Sequence, residues 1–251
     1  MITDPIFYCL AVPAVILVGL SKGGFAGLSV LSLPLISLAI SPVQGAAIML
    51  PILIFQDFIS TYAYWRKWDA PNVRILLPAS FVGVGLGYVM AAQLPGGAVE
   101  IALGLIAAGF GVKSLLGKSA QPGGKLSRIS GWLCGIGGGF TSMIANTGAP
   151  LHQIFLMPQR LPRDVFVGTQ QIIWTVINCA KVVPFLALSQ LTPGNLTTAL
   201  VLFPLALVST IVGIWLVRRV SGDQLYTVIY WLLLPVGAML VCQGLARAGY
   251  L

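Results

Sequence analysis

Long apolar runs dominate this sequence and leave almost no room for a soluble domain. Stretches close to the length that crosses the hydrocarbon of a bilayer, about 17–25 residues, follow one another through most of the chain. Hydrophobic residues make up 57% of the 251 residues and charged residues 8%, against roughly 25% charged in soluble domains. The sequence therefore predicts an all-α polytopic membrane protein.

Two glycine-rich interruptions inside these runs resemble each other. Residues 21–25 read Ser-Lys-Gly-Gly-Phe and residues 135–140 read Gly-Ile-Gly-Gly-Gly-Phe, and small-residue stretches ending at Pro34 and Pro150 follow them. Each glycine costs about 1 kcal/mol relative to alanine inside a helix. We therefore expect two helix breaks, with half-helices beginning just after Gly24 and Gly139. The structural alternative is close helix packing through small residues.

The order of the runs divides the chain into two similar halves. Residues 6–40 contain the first interruption and precede runs at 45–64, 73–92 and 99–116, whereas residues 131–157 contain the second and precede runs at 165–188, 196–217 and 225–245. We expect one integral membrane domain made of two repeats, residues 1–117 and 118–251. Each repeat would be a broken or re-entrant helix pair plus three transmembrane helices, about 8–10 membrane segments in all.

The basic residues of the loops predict the topology. Lys and Arg occur at positions 66–74, 113–128, 160–163 and 218–219, and the loops 93–98 and 189–195 contain none. Because basic loops favour the cytoplasm, the two repeats should be inverted, with both termini outside. The pattern leaves open whether each broken segment is re-entrant or crosses twice. The net charge of +8 is spread in ones and twos, so no nucleic-acid partner is expected.

The sequence offers no recognisable catalytic or metal-binding pattern. Its four cysteines lack CxxC spacing and its six acidic residues are scattered, so neither a metal nor another cofactor is expected. HExxH, GxSxG and the P-loop are absent from the sequence. We therefore expect a non-enzyme that ATP does not drive, with an intramembrane enzyme as a less favoured alternative.

A break in a membrane helix frees backbone groups that a ligand can satisfy, and helix N-termini favour anions. We therefore expect a small anion to bind at the midplane between the two breaks. The candidate binding residues at the breaks are Ser21, Lys22, Gly23, Gly24, Phe25, Gly137, Gly138, Gly139, Asn146 and Thr147.

Polar residues also interrupt the apolar runs at 45–64, 131–157 and 165–188. Gln170, Gln171, Trp174, Asn178 and Lys181 follow a helical spacing that puts most of them on one stripe. Intramembrane polar groups normally face the protein interior.

Three of these stripe residues, Gln170, Gln171 and Asn178, join Gln56 as candidate binding residues. Trp174 and Lys181 join Asp57 and His152 as proton-coupling or gating candidates. The alternatives are interhelical hydrogen bonds for the stripe, an ion pair of Asp57 with Lys22 or Arg66, and a structural role for His152.

The two interruptions, Pro34, Pro150 and the four-plus-four grouping together resemble the TauE/SafE family over nearly the whole chain. The resemblance implies a multi-pass permease of the bacterial inner membrane, where termini that lie outside are periplasmic. Its partners would be the lipid bilayer and a small sulfur-containing oxyanion such as sulfite, thiosulfate or an organosulfonate. The inverted repeats predict secondary transport by alternating access, and Asp57 makes proton coupling an option. An anion channel is the alternative. Lys22 has no charged counterpart in the second interruption, so it stays open whether the two halves contribute equally to anion binding. The oligomeric state also stays open.

Overall fold

Helices account for nearly all of the chain that can be described. A computed structural model of the protein describes residues 2–25, 28–90, 127–145 and 148–249, with isolated positions between 97 and 115. The helices are α1 Pro5–Gly23, α2 Ser32–Ser37, α3 Pro42–Ala63, α4 Ala70–Met90, α5 Arg128–Ala145, α6 Ala149–Leu156, α7 Arg163–Ala187, α8 Pro193–Arg218 and α9 Gly222–Arg247. Single 3₁₀ turns, Leu28–Leu31 and Met157–Gln159, precede α2 and follow α6.

Local sequence explains where several of these helices begin. Asp4 accepts a hydrogen bond from the Ile6 backbone N–H before α1, and Ser41 and Thr192 cap α3 and α8 in the same way. A proline follows each of these caps at the first helical position, where its missing N–H costs nothing. Ser221 and Gln224 form a reciprocal capping box at the start of α9.

The structure confirms the prediction of an all-α polytopic membrane protein. Among the described residues, five helices are long and apolar enough to span a bilayer, namely α1, α3 from Gln44, α4, α8 and α9 from Asp223. Large apolar side chains such as Val208, Trp215 and Trp231 point outward, as expected for helices whose solvent is lipid. At 25 residues, α7 is as long as these spans, but it carries the predicted polar stripe.

The chain forms two compact units that each combine both halves of the sequence. Unit 1 comprises Met1–Trp68 and Val167–Val220, and unit 2 comprises Asp69–Phe166 and Ser221–Leu251. The predicted repeats, residues 1–117 and 118–251, are consecutive halves of the sequence and not these compact units. The division into repeats stays a prediction.

In each unit, a helix that carries a glycine-rich motif packs against a helix from the other half of the sequence. A Cβ atom at Gly19 or Gly23 of α1 would overlap Ser209 or the Gly213 backbone of α8, and the order of these contacts makes the two helices parallel. In unit 2, Gly135 of α5 lies against Leu76 and Ala79 of α4, and Gly139 lies against Ser80. Glycine is therefore required at these positions for close backbone approach.

The prediction of a helix break at the second motif is wrong. Gly137, Gly138 and Gly139 lie inside α5, which continues to Ala145, and the next described helix, α6, begins at Ala149. Contacts with Ser80 of α4 and with Leu151 and His152 of α6 occupy the space beside these glycines. Packing thus outweighs the helix-propensity cost that suggested a break.

The first motif does interrupt a helix, but at a helix C-terminus and not at an N-terminus. α1 runs through Gly23 and ends at Gly24, and the next described turn starts only at Leu28. The next described helix, α2, begins at Ser32, and a half-helix that starts just after Gly24 stays a prediction. The predicted run at 99–116 falls mostly outside the described residues.

Candidate functional site

The first glycine motif forms the C-terminal cap of α1. Gly24 has φ 137°, a conformation that side-chain-bearing residues rarely adopt. Its N–H donates to the Ser21 carbonyl at 3.0 Å, and the Phe25 N–H donates to the Leu20 carbonyl at 3.3 Å. These two bonds are the pair that defines a Schellman cap. The motif therefore stops α1 and leaves Lys22 in the helix's last turn.

Two side chains from other helices satisfy the carbonyl groups that this helix end exposes. The Tyr64 hydroxyl, just after α3, donates to the Gly23 carbonyl at 3.0 Å, and Gln171 Nε2 of α7 donates to the Lys22 carbonyl at 2.9 Å. Carbonyls at the end of a helix otherwise lack partners. The carbonyl groups of Lys22 and Gly23 are thus already bonded.

Lys22 forms a buried ion pair with Asp57. Lys22 Nζ lies 2.6 Å from Asp57 Oδ1, and Asn178 Nδ2 donates to Asp57 Oδ2 at 2.6 Å. The Asp57 side chain is fully buried and that of Lys22 is 9% exposed. Lys22, and not Arg66, is therefore the ion-pair partner of Asp57. Helices α1, α3 and α7 each contribute one member of this cluster.

A second lysine from α7 extends the cluster. Lys181 is fully buried one turn after Asn178 and interacts electrostatically with both Lys22 and Asp57. Gln170, Gln171 and Trp174 of the same helix are buried as well, which agrees with the expectation that the stripe faces the protein interior.

The sequence of unit 1 contains few acidic residues. Its carboxylates are Asp4 and Asp57, and Asp4 caps the opposite end of α1. At 1.5 Å per residue, the 18 positions from Asp4 to Lys22 span about 27 Å. Asp57 is therefore the carboxylate of unit 1 that lies with Lys22 in the buried cluster.

Several buried polar atoms of α3 and α7, the helices that carry Asp57 and Asn178, have no hydrogen-bond partner among the described residues. They are Gln170 Nε2, Gln171 Oε1, Ser60 Oγ and Gln56 Oε1. Buried polar groups are normally paired, so these atoms offer donors and acceptors to a bound molecule. The other end of Gln56 has a structural role, since its Nε2 donates to the Val15 and Ala206 carbonyls of α1 and α8 at 3.4 and 3.3 Å.

Two threonines that were not among the candidate residues also link α3 to α7. Thr61 Oγ1 and Thr175 Oγ1 are 2.7 Å apart, and Thr175 also donates to the Gln171 carbonyl at 2.8 Å. Each lies four residues after a candidate, Asp57 or Gln171, and therefore on the same helix face. Extending the polar stripes by one helical turn would have found both.

The remaining candidates are placed more simply. Ser21 hydrogen-bonds to Ser29 at 3.2 Å, and Phe25 is buried. In unit 2, His152 is fully buried beside Gly138, with Nε2 3.1 Å from Ser80 Oγ of α4. Asn146 and Thr147 lie outside the described residues. No group of three His, Cys, Asp or Glu that could hold a metal ion occurs in the described part of the chain.

A family model described as sulfite exporter TauE/SafE matches residues 11–240. The chain belongs to the TauE/SafE family. No curated protein and no solved structure gives a significant match to it. Membership confirms the resemblance read from the sequence and assigns the chain to a family of transporters.

The matched region of this TauE/SafE protein contains the whole buried cluster, from Lys22 on α1 to Lys181 on α7. Together with the spanning helices, the family makes it a multi-pass membrane transporter.

Proposed function

We propose that this TauE/SafE protein is a secondary transporter for a small sulfur-containing oxyanion, such as sulfite, thiosulfate or an organosulfonate, in the bacterial inner membrane. In this proposal Lys22 and Lys181 supply the positive charge that holds the anion in unit 1. The observation that carries it is that two buried lysines lie in the same buried polar cluster, where Lys22 contacts Asp57 directly.

Buried lysines in a membrane protein support an anion as the ligand. Charged groups in membrane segments normally pair with one another or mark an ion pathway, and Lys22 pairs with Asp57. A substrate anion that reaches the cluster would take the place of Asp57 Oδ1 beside Lys22 Nζ, so that the lysine keeps a partner while the anion is bound. Leaving a buried charge without its partner costs about 3–5 kcal/mol.

Neutral buried groups on α3 and α7 suit an oxyanion. Gln170 Nε2 and Ser60 Oγ are buried donors without partners among the described residues, and a sulfonate or sulfite group presents several acceptor oxygens. Hydrogen bonds to a charged acceptor contribute about 1.5–3 kcal/mol each. Two lysines with a few neutral donors would hold the anion without the permanent binding of a denser cationic cage.

The test is anion transport by the purified protein in proteoliposomes. We expect rapid concentration jumps of sulfite, thiosulfate and sulfoacetate to give saturable currents or radiolabel uptake, with weaker responses to zwitterionic taurine. A flux that stays linear at high concentration would indicate a channel instead. If no sulfur oxyanion gives a response above that of protein-free liposomes, the proposed substrate class is wrong.

A further inference from the structure

The ends of α3 and α8 carry an exposed basic patch in unit 1. Arg66 and Lys67 follow the end of α3, Arg218 and Arg219 lie at the end of α8, and all four residues are exposed. We propose that this basic patch binds the headgroup of an anionic phospholipid, such as phosphatidylglycerol. The proposal concerns the boundary between the protein and the bilayer, and it does not depend on which anion is transported.

Direct contacts join the end of α3 to the end of α8. Arg218 Nη2 donates to the carbonyl of Ala63, the last residue of α3, at 3.1 Å, and Arg218 Cζ lies 5.8 Å from the centre of the Tyr64 ring. The Lys67 backbone N–H donates to the Tyr64 carbonyl at 2.9 Å, so the turn that carries Arg66 stays close to this contact. The four cations therefore lie in one region of the surface, where their fields add.

Two exposed tryptophans border the basic patch. Arg219 Cζ lies 3.9 Å from the centre of the Trp215 ring, and Trp65 directly precedes Arg66. Tryptophan is enriched where the hydrocarbon of a bilayer meets its headgroups, and a guanidinium group over an indole ring is held by cation–π attraction. These side chains put the basic patch at the depth of lipid headgroups.

Helix α8 also offers an apolar surface to the acyl chains of the lipid. Val208, Ile211 and Trp215 are exposed, and they lie three or four residues apart on the face that ends at Arg219. A cation at the end of an exposed apolar stripe matches a phospholipid, which joins a charged headgroup to apolar chains. A soluble anion would gain nothing from the stripe, so the ligand that fits is a lipid.

The carboxylates of unit 1 lie away from the basic patch. Asp57 is buried, and Asp4 caps the start of α1. That start lies beside the start of α8, because the Ile2 N–H donates to Thr198 Oγ1 at 3.0 Å. Asp69, the first residue of unit 2, accepts a backbone N–H at the start of α4. An anionic headgroup therefore complements the patch, and arginine binds phosphate oxygens through paired hydrogen bonds.

Tryptophan fluorescence in vesicles measures the lipid preference. The full-length protein is reconstituted in phosphatidylcholine, and brominated phosphatidylglycerol or brominated phosphatidylcholine, which quench nearby tryptophans, is mixed in. We expect half-maximal quenching at an about tenfold lower fraction of phosphatidylglycerol, because each basic residue near anionic headgroups adds attraction. Equal fractions for the two lipids would overturn the proposal. So would relief of quenching by millimolar inorganic phosphate but not by sodium chloride of equal ionic strength, since the ligand would then be a soluble anion.

The double variant Arg66→Gln/Arg219→Gln tests the residues, and it keeps the bond of Arg218 to α3. We expect its preference for phosphatidylglycerol to fall about fivefold or more. The matched control is Arg128→Gln/Arg247→Gln, which removes the same charge from exposed positions of unit 2 and should keep the wild-type preference. Equal preferences in the two double variants would overturn the proposal. If the first variant does not fold, the wild-type comparison of the two lipids decides alone.

Discussion

Lys22 lies where two electrostatic effects favour a cation. It is in the last turn of α1, where the exposed carbonyls carry a partial negative charge, and its ammonium group contacts the Asp57 carboxylate. Glycine at position 24 makes this possible, because its φ of 137° ends the helix directly after Gly23. The glycines of the first motif thus position the lysine that we expect to bind the anion.

The Lys22–Asp57 pair should show strong coupling in a double-mutant cycle. Lys22→Gln or Asp57→Asn alone leaves buried charge without its partner, at a cost of about 3–5 kcal/mol. The double variant Lys22→Gln/Asp57→Asn should lose less than the sum of the two. Chemical unfolding in detergent micelles measures this, and additive losses would contradict the pairing.

Gly24→Ala should destabilise the end of α1. A side chain at φ 137° is strained, and its Cβ would lie 3.0 Å from Val167 and Val217, so we expect a loss of about 1–3 kcal/mol. The matched control is Gly85→Ala, where no atom lies within 4 Å of the new Cβ. Equal thermal stability of both variants would argue against the Schellman cap.

At the residue scale, sequence periodicity predicts much of the site. The spacing of Gln170, Gln171, Asn178 and Lys181 indicated an interior face of α7, and all four side chains are buried. The partner of Asp57 could not be chosen from the sequence, because Lys22 and Arg66 were both plausible and only the tertiary contact distinguishes them.

Helix α4 shows how glycines act at the scale of whole elements. Gly83 and Gly87 lie against Ile136, Phe140 and Met143 of α5, whereas Gly85, between them, faces open space. Small residues on one face let two membrane helices approach closely. The same arrangement joins α1 to α8 through Gly19, Gly23 and Gly213.

Alanine substitutions at Gly83 and at Gly85 should therefore have very different effects on the stability of the protein. Gly83→Ala forces a Cβ into the backbone of α5 and should cost about 1–3 kcal/mol by overpacking. Gly85→Ala adds helix propensity, up to about 1 kcal/mol, and should be neutral or stabilising. Melting temperatures of the two purified variants measure the difference, and a tolerated Gly83→Ala would contradict the close α4–α5 contact.

The apolar runs predicted the helices better than the glycines predicted the breaks. The run expected at 45–64 is α3 at Pro42–Ala63, and that expected at 73–92 is α4 at Ala70–Met90. The second motif failed as a break signal because consecutive glycines are compatible with a helix when neighbouring backbones fill the space beside them. The helix propensity of glycine alone contains no information about packing between neighbouring helices.

For the whole molecule, the distribution of basic residues predicts a topology that reporter fusions can test. Loops near Arg66 and Arg218 should face the cytoplasm, and both termini should face the periplasm. Alkaline phosphatase fused after Leu251 should therefore be active in cells, and the same enzyme inserted after Lys67 should be inactive. The reverse pattern would contradict inverted repeats with external termini.

Anion transport that depends on Lys22 is the central claim. Its most direct test is solid-supported-membrane electrophysiology on proteoliposomes that contain wild type, Lys22→Gln/Asp57→Asn, or Arg247→Gln as an exposed-charge control. We expect sulfite or thiosulfate jumps to give saturable currents in wild type and in the control. In the double variant the apparent affinity should fall by about 10–100-fold, the equivalent of a lost charged hydrogen bond. Wild-type affinity in the folded double variant would contradict the role of Lys22.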